Sequence, residues 1–492
     1  MALMRKHVLA AGNAAAPKDH SVFVGLLLLL VLAPLPLGSN RFWAIGICLV
    51  FSVVLLMWSM WLWRHHFVEL LRVLHPYRWP IALLAAMVVL SWTQVMPMPA
   101  SMLEQISPAS LAAQVPTGPF TISIDVFQSQ TMASLSMALF SLFCVAVLTV
   151  RDCERLDRLA LVLVWSGVLQ AVVGAILFSM KAEYRIFFVP VSHTRMIGTF
   201  VYHNSFAGYL GMTLSVGIGL MLARLGGRES QGRHWKAKIV SVIAFLLSPK
   251  MRLRLLLIIL VIALVMTRSR MGNTAIFVSM LLVGLLAIAV ARHAAPQTIK
   301  LIVSLVIVDV LVVGTGVGLE KVVERIQETE LSVSEGGKSE SVEARTEAAR
   351  TALPIVRDFP IAGSGGGSFY NIFLGYRTPS YGYTFVDHTH NDFVEIASDY
   401  GILGLGILGS LVVATLATTV KVLSKRKSRL PGGIAFGVTM SIVTLLIHST
   451  VDFNLQIPAN AMTIVVILAM GWAANVVPPP VDTKKQRFKA QI

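Results

Sequence analysis

The chain has 492 residues, of which 55% are hydrophobic and 13% charged, with a mean hydropathy of +0.74. Soluble domains carry about 25% charged residues, so composition excludes an ordinary water-soluble protein and makes a bilayer the solvent to assume. The formal net charge of +16 does not call for nucleic acid as a partner, because Lys and Arg are retained on the cytoplasmic side during membrane insertion.

In chain order, apolar runs near the ~20 residues that cross a hydrocarbon core begin close to Val22, Phe42, Trp79, Thr131, Leu159, Ser205, Met251, Met271, Ile299, Gly401, Gly432 and Ala459, 12 in all. The first run, to Leu37, follows Arg5, Lys6 and Lys18 and ends without a small-residue cleavage site, so it reads as a retained span. Ile239 to Leu247 is too short to cross, is flanked by Lys236, Lys238 and Lys250, and reads as an interfacial segment. With the N-terminus inside, the inside segments hold 28 of the 41 Lys and Arg, as the positive-inside rule requires. The outside connection from Pro97 to Gln130 holds none, and the other short ones hold only Arg41, Lys181, Arg185, Arg195, Arg268 and Arg270.

Four regions are expected: an N-terminal transmembrane bundle over 1–318, a large outside loop over 319–400, three C-terminal spans over 401–478 and a basic inside tail over 479–492. The loop carries 13 of the 25 acidic residues. Cys48 and Cys144 lie in apolar runs and Cys153 in a basic inside loop, which gives neither a disulfide framework nor a metal cluster. Asp309, in the middle of the ninth span, is costly there unless neutral or paired.

The densest polar stretch, Asp387-His388-Thr389-His390-Asn391-Asp392, ends the outside loop. Helix-compatible spacing from Asp392 onward places His390 and Asn391 at a helix N-terminus, where the dipole disfavours imidazolium and keeps a histidine neutral. A plain reading stands level with that one: Asn391 or Asp392 caps the helix and the histidines are interfacial polar residues. His390-Asn391, nine residues, Gly401, two residues and Gly404 resemble the signature of the O-antigen ligase family of ligases, repeat-unit polymerases and protein O-oligosaccharyltransferases.

Three more outside segments are similar to that family. They are Arg345 followed by Pro360-Ile361-Ala362-Gly363-Ser364-Gly365-Gly366-Gly367-Ser368-Phe369, Arg195-Met196-Ile197-Gly198-Thr199-Phe200 with Asn204 and Ala207, and Thr267-Arg268-Ser269-Arg270. The glycine run lacks the Gly-Lys-Ser or Gly-Lys-Thr of a nucleotide loop, so a tight turn is preferred for it. Arg195, Arg268, Arg270 and Arg345 have a plain reading as snorkelling or surface residues. Against it, all four motifs fall outside on a topology drawn from charge alone. The last outside turn, His448 to Ala459, places Asp452 where it pairs with an arginine, orients a histidine or caps a span.

The resemblance implies an all-α polytopic bundle of glycosyltransferase C-type membrane architecture, with the outside loop helical over the site. It implies a glycan moved from a polyprenyl diphosphate carrier, such as undecaprenyl diphosphate, to an acceptor hydroxyl on a carrier-linked repeat or a lipid A core. The inner membrane is the expected location, with the site facing the periplasm. His390 is the expected general base, Arg195, Arg270 and Arg345 the diphosphate ligands, and Asn391 and Asp452 supporting residues. No metal or cofactor is expected. The acidic loop and the Asp452 turn resemble exopolysaccharide members and tip the expectation from ligase to polymerase. A transporter of glycan or lipid and a non-catalytic scaffold are the rival readings; a transporter's essential polar groups would lie at mid-membrane.

Overall fold

The computed structural model describes residues 17–115, 119–181, 184, 195–224, 248–290, 342–378, 386–425 and 428–478. These residues are mostly helical, with no strand, and Met98 and Phe120 form an isolated antiparallel bridge. The main helices are α1 (His20–Leu32), α2 (Phe42–Trp63), α3 (Phe67–Thr93, through a 3-10 turn), α4 (Val126–Thr149), α5 (Cys153–Ser179), α6 (His203–Arg224), α7 (Pro249–Met266), α8 (Arg270–Val290), α9 (Val342–Asp358), α10 (Phe369–Phe373), α11 (Asp392–Lys425), α12 (Arg429–His448) and α13 (Pro458–Val476). Among the described residues nine are long and apolar enough to cross a membrane. The chain is an all-α, multi-pass membrane protein.

Every expected span except that from Ile299 falls on one of these helices. That span with Asp309, the 239–247 segment, residues 319–341 of the outside loop and the tail 479–492 lie outside the described residues. Two elements differ from expectation. The first apolar run was expected to be a span as far as Leu37, but α1 stops at Leu32, just before Pro34 and Pro36, whose rings fix φ and remove two N–H donors. At about 1.5 Å per residue its 13 residues fall short of a hydrocarbon core. The other is α7, which carries Lys250, Arg252 and Arg254 in its first two turns and is only 18 residues long.

α6 and α13 form the centre, with 89% of each apolar window buried, whereas α2 and α11 lie at the periphery with 28% and 22%. α2 presents Ile47, Val50, Met57 and Trp61 outward, as a lipid-facing helix does. α6 packs most extensively on α12, and the approach is close: a Cβ on Gly219 would stand 2.3 Å from the Gly433 carbonyl.

The bundle has two chemically distinct ends. At one, Asp19 takes Arg151 at 2.8 Å and Arg155 at 2.7 Å, Arg224 pairs with Asp157 at 2.8 Å, and Cys153 Sγ donates to the Pro478 carbonyl. At the other end lie the turns expected outside. There α11 is broken by Gly401, whose φ of +61° and ψ of −163° are non-helical. The amides freed by the break are taken up, Ile402 N–H by the Pro360 carbonyl at 2.9 Å and Leu403 N–H by the Ile361 carbonyl at 3.3 Å. A Cβ on Gly401 would meet the Ile361 carbonyl at 2.3 Å, and one on Gly363 (φ +75°) would meet the Asp399 carbonyl carbon at 2.2 Å. Both positions therefore demand glycine, for left-handed backbone and for contact. The glycine run is a turn seated on the start of α11.

Candidate functional site

Asn391 is the N-cap of α11, its Oδ1 accepting from the amides of Phe393 at 3.0 Å and Val394 at 3.1 Å while its Nδ2 donates to the Thr450 carbonyl. Thr389 and Glu395 close the turn, with Thr389 N–H donating to Glu395 Oε2 at 2.9 Å. His390 sits just before the cap with φ at +52°, a left-handed backbone that is uncommon for a non-glycine residue. Its half-buried ring lies edge-on to Phe453, centroids 5.1 Å apart, and its Nδ1 is buried without a hydrogen-bond partner.

Phe453 organises the surroundings. His388 stacks on its face at 4.1 Å and Tyr202 meets it edge-on at 5.2 Å, so residues from two other segments converge on one fully buried ring. His388 Nδ1 lies 2.5 Å from Glu395 Oε1, and Tyr202 Oη donates to Asp387 Oδ2 at 2.7 Å. Asp392, buried, accepts from Ser449 Oγ at 2.5 Å and from Leu455 N–H at 3.2 Å, which locks the start of α11 onto the 449–455 turn.

The two histidines of the His-Thr-His run are electrostatic opposites. Burial pushes His390 down and the Arg345 charge adds to that, with His388 in the same sense and Asp387 against it, leaving a pKa of about 4. Burial also opposes charge on His388, but Glu395, with Asp387 and Asp399 in the same sense, outweighs it and lifts the imidazole to about 9. At neutral pH His390 is therefore a free base and His388 an imidazolium held by a carboxylate.

Arg345, from α9, donates through Nη1 to the Val451 carbonyl at 3.2 Å and to Asp452 Oδ2 at 3.4 Å, while its buried Nε has no partner. Asp452 is raised to about 6, by burial against the pull of Arg345. His448 Nε2 lies 3.7 Å from the same Asp452 oxygen. The remaining two candidate arginines come from adjoining turns: Met196 N–H donates to the Met266 carbonyl at 3.1 Å, placing the Arg195 segment beside the α7–α8 turn that carries Arg270. Arg195 Nη1 stands 3.1 Å from His203 Nε2, and Arg270 is exposed at the start of α8. The structure thus brings His390, Asn391, Arg345 and Asp452 into one cluster, with Arg195 and Arg270 at neighbouring turns of the same end.

Sequence reasoning gave no role to Tyr202, Glu395, Phe453 or Gln94. Fully buried Gln94 closes α3, donating through Nε2 to the carbonyls of Ala362 at 2.6 Å and Asp399 at 2.7 Å and accepting from Gly366 N–H at 3.0 Å. One side chain thereby ties the glycine turn to α11. The signal was a lone amide at the membrane edge of an otherwise apolar run. Among the described residues no three His, Cys, Asp or Glu side chains form a group fit for a metal ion.

Curated proteins give no match to the chain. A family model described as O-antigen ligase matches residues 255–409, a stretch that takes in Arg270, Arg345, the glycine turn and His390 through Gly404. Over residues 255–409 the chain is thus similar to the O-antigen ligase family, which supports a part in glycan transfer in O-antigen assembly.

Proposed function

We propose that the protein moves a glycan from a polyprenyl diphosphate carrier to an acceptor hydroxyl at the extracytoplasmic face of the inner membrane, with His390 as general base and Arg345, Arg195 and Arg270 as ligands of the diphosphate. The observation that carries the reading is a neutral His390 with an unpartnered Nδ1, set in the same cluster as a half-buried arginine whose Nε has no partner. Carrier-linked diphosphate is a good leaving group and needs no acid. What it needs is a base for the acceptor proton and cations for the charge on the departing oxygens. Arginine suits the second task, because its planar fork binds phosphate oxygens in pairs and keeps its charge near lipid.

Burial first and the Arg345 charge second hold His390 near 4. Diphosphate bound to Arg345 supplies the missing negative charge, raises the imidazole and makes it a better proton acceptor in the donor complex. The base is thus strengthened by the substrate it serves. Attack from the face opposite the diphosphate inverts the anomeric centre. Acceptor identity separates ligase from polymerase, and the Asp452 turn and the acidic loop favour polymerase. A transporter is disfavoured by the gathering of these polar groups at one end of the bundle.

The test uses purified protein in nanodiscs with a polyprenyl-diphosphate glycan and candidate acceptors, in excess chelator. His390→Ala should bind donor normally and lose about 10²- to 10⁴-fold in transfer rate. Transfer at the unmutated rate, or activity that vanishes with chelator and returns with a divalent cation, would rule the mechanism out.

A further inference from the structure

Around His390 the described carboxylates are nearly all committed. Glu395 holds His388, Asp452 holds Arg345, and Asp392 accepts from Ser449 and Leu455. Asp387 differs: among the described residues its one hydrogen-bond partner is the neutral phenol of Tyr202, at 2.7 Å. The Tyr202 ring is fixed against Phe453, and so is His390. Asp387 is therefore anchored to the same ring as the base, three residues before it, with its negative charge still available.

We propose that Asp387 is the carboxylate that takes up the charge of His390 once His390 has received the acceptor's proton, and that Tyr202 is the positioning residue that holds Asp387 for this task. The inference rests on His390 being the base. As the acceptor O–H breaks, its electron pair forms the bond to the anomeric carbon, the proton goes to His390, and the carbon–oxygen pair leaves with the diphosphate. The imidazolium so formed faces two cations, Arg345 from α9 and the protonated His388 of its own loop. Asp387 is the charge of opposite sign that faces it. Without it the new imidazolium would face Arg345 and His388 with no carboxylate of its own. A carboxylate beside a catalytic imidazole is effective for this reason: it stabilises the cation that exists only during reaction.

The experiment measures kcat, donor and acceptor KM, and the pH–rate profile for four variants in nanodiscs. Asp387→Asn should lower kcat about ten- to a thousandfold with donor KM within twofold, and should move the acid limb of the profile to lower pH, since losing the carboxylate makes the imidazole less basic. Asp387→Glu should recover part of kcat. Tyr202→Phe keeps the ring on Phe453 and should reproduce both changes at about three- to tenfold, so it carries the test if Asp387→Asn does not fold. His390→Ala separates the two levels of argument. If it is inactive while Asp387→Asn keeps wild-type kcat and an unmoved acid limb, or shows only a raised acceptor KM, the role given to Asp387 is overturned and the base stands. An active His390→Ala removes the base assignment itself.

Discussion

The two ends of the bundle solve the same problem, charge at the edge of a membrane, in opposite ways. At the end built around Asp19, one carboxylate with 3% of its side chain exposed receives two arginines at 2.8 and 2.7 Å. At the end built around Asp452 the carboxylate is equally buried, yet Arg345 stands off at 3.4 Å and His448 at 3.7 Å, and Arg345 Nε and His390 Nδ1 have no partner. Tight pairing is what a clamp between the α1 start and the α4–α5 turn needs. Loose pairing with spare donors is what a site for an anionic ligand needs, since a satisfied arginine has nothing left to offer. The difference between the ends is therefore one of distance: the Asp19 end holds two arginines closely and the Asp452 end holds one at arm's length.

The sharpest way to break this comparison is to remove each carboxylate. Asp19→Ala removes the carboxylate shared by two largely buried arginines and should cost about 3 kcal/mol of stability, read as a lower unfolding midpoint in detergent, while surviving protein transfers glycan at the normal rate. At the site end the effect should be reversed. Arg345→Lys keeps charge and stem but loses the fork, so transfer should fall about tenfold to a hundredfold with the unfolding midpoint unchanged. Equal activity of the lysine variant would make Arg345 an anchor. Asp452→Asn should lower transfer by about tenfold and cost little stability at pH 7, because the ionised form is already penalised by burial. Its pKa of about 6 lies above the ordinary 3.8, so the stabilisation from protonated Asp452 is fully present below pH 3.8 and is lost as pH rises through 6. Midpoints recorded between pH 4 and 7 should lose that component in the asparagine variant.

The smallest effect sharpens the contrast within the site. The His388–Glu395 contact is fully present below the unfolded pKa of about 6.5 and is lost as pH rises through about 9. The unfolding midpoint should therefore drop by about 1–2 °C between pH 7 and 10, and His388→Asn should remove that drop. A drop retained in His388→Asn would assign it elsewhere.

Much of this was legible before any coordinates. Hydropathy and charge located the helices, because a bilayer imposes length and sidedness on each span separately. The helix start at Asn391 and the turn at Gly363 were readable because capping and left-handed backbone are local demands on residue type. What was hidden is what depends on distant contact. Gln94 and Asp399 are 305 positions apart, and no local pattern pairs them. Phe453 looks like any apolar residue until Tyr202, His388 and His390 close around it. A neutral His390 was expected from the helix start, but its causes, burial and Arg345, and the opposite charge state of His388 were out of reach, since two residues of separation say nothing about which faces Glu395 and which faces Arg345. The end of α1 at Leu32 was readable in principle from Pro34 and Pro36, but hydropathy alone ran past it.

The break at Gly401 has a mechanical meaning. Residues 392–400 are bolted to the glycine turn and to the 449–455 turn, whereas the helix beyond Leu403 faces lipid with Val413 65% exposed. A helix in a bilayer tilts to match its thickness, and each ångström of mismatch acts along the whole rod. Here the rod is jointed just beneath the site, and the joint is gripped by Pro360 and Ile361. Asn391 and His390 therefore take their placing from the glycine turn and the 449–455 turn, and the direction of the helix beyond the break is set separately.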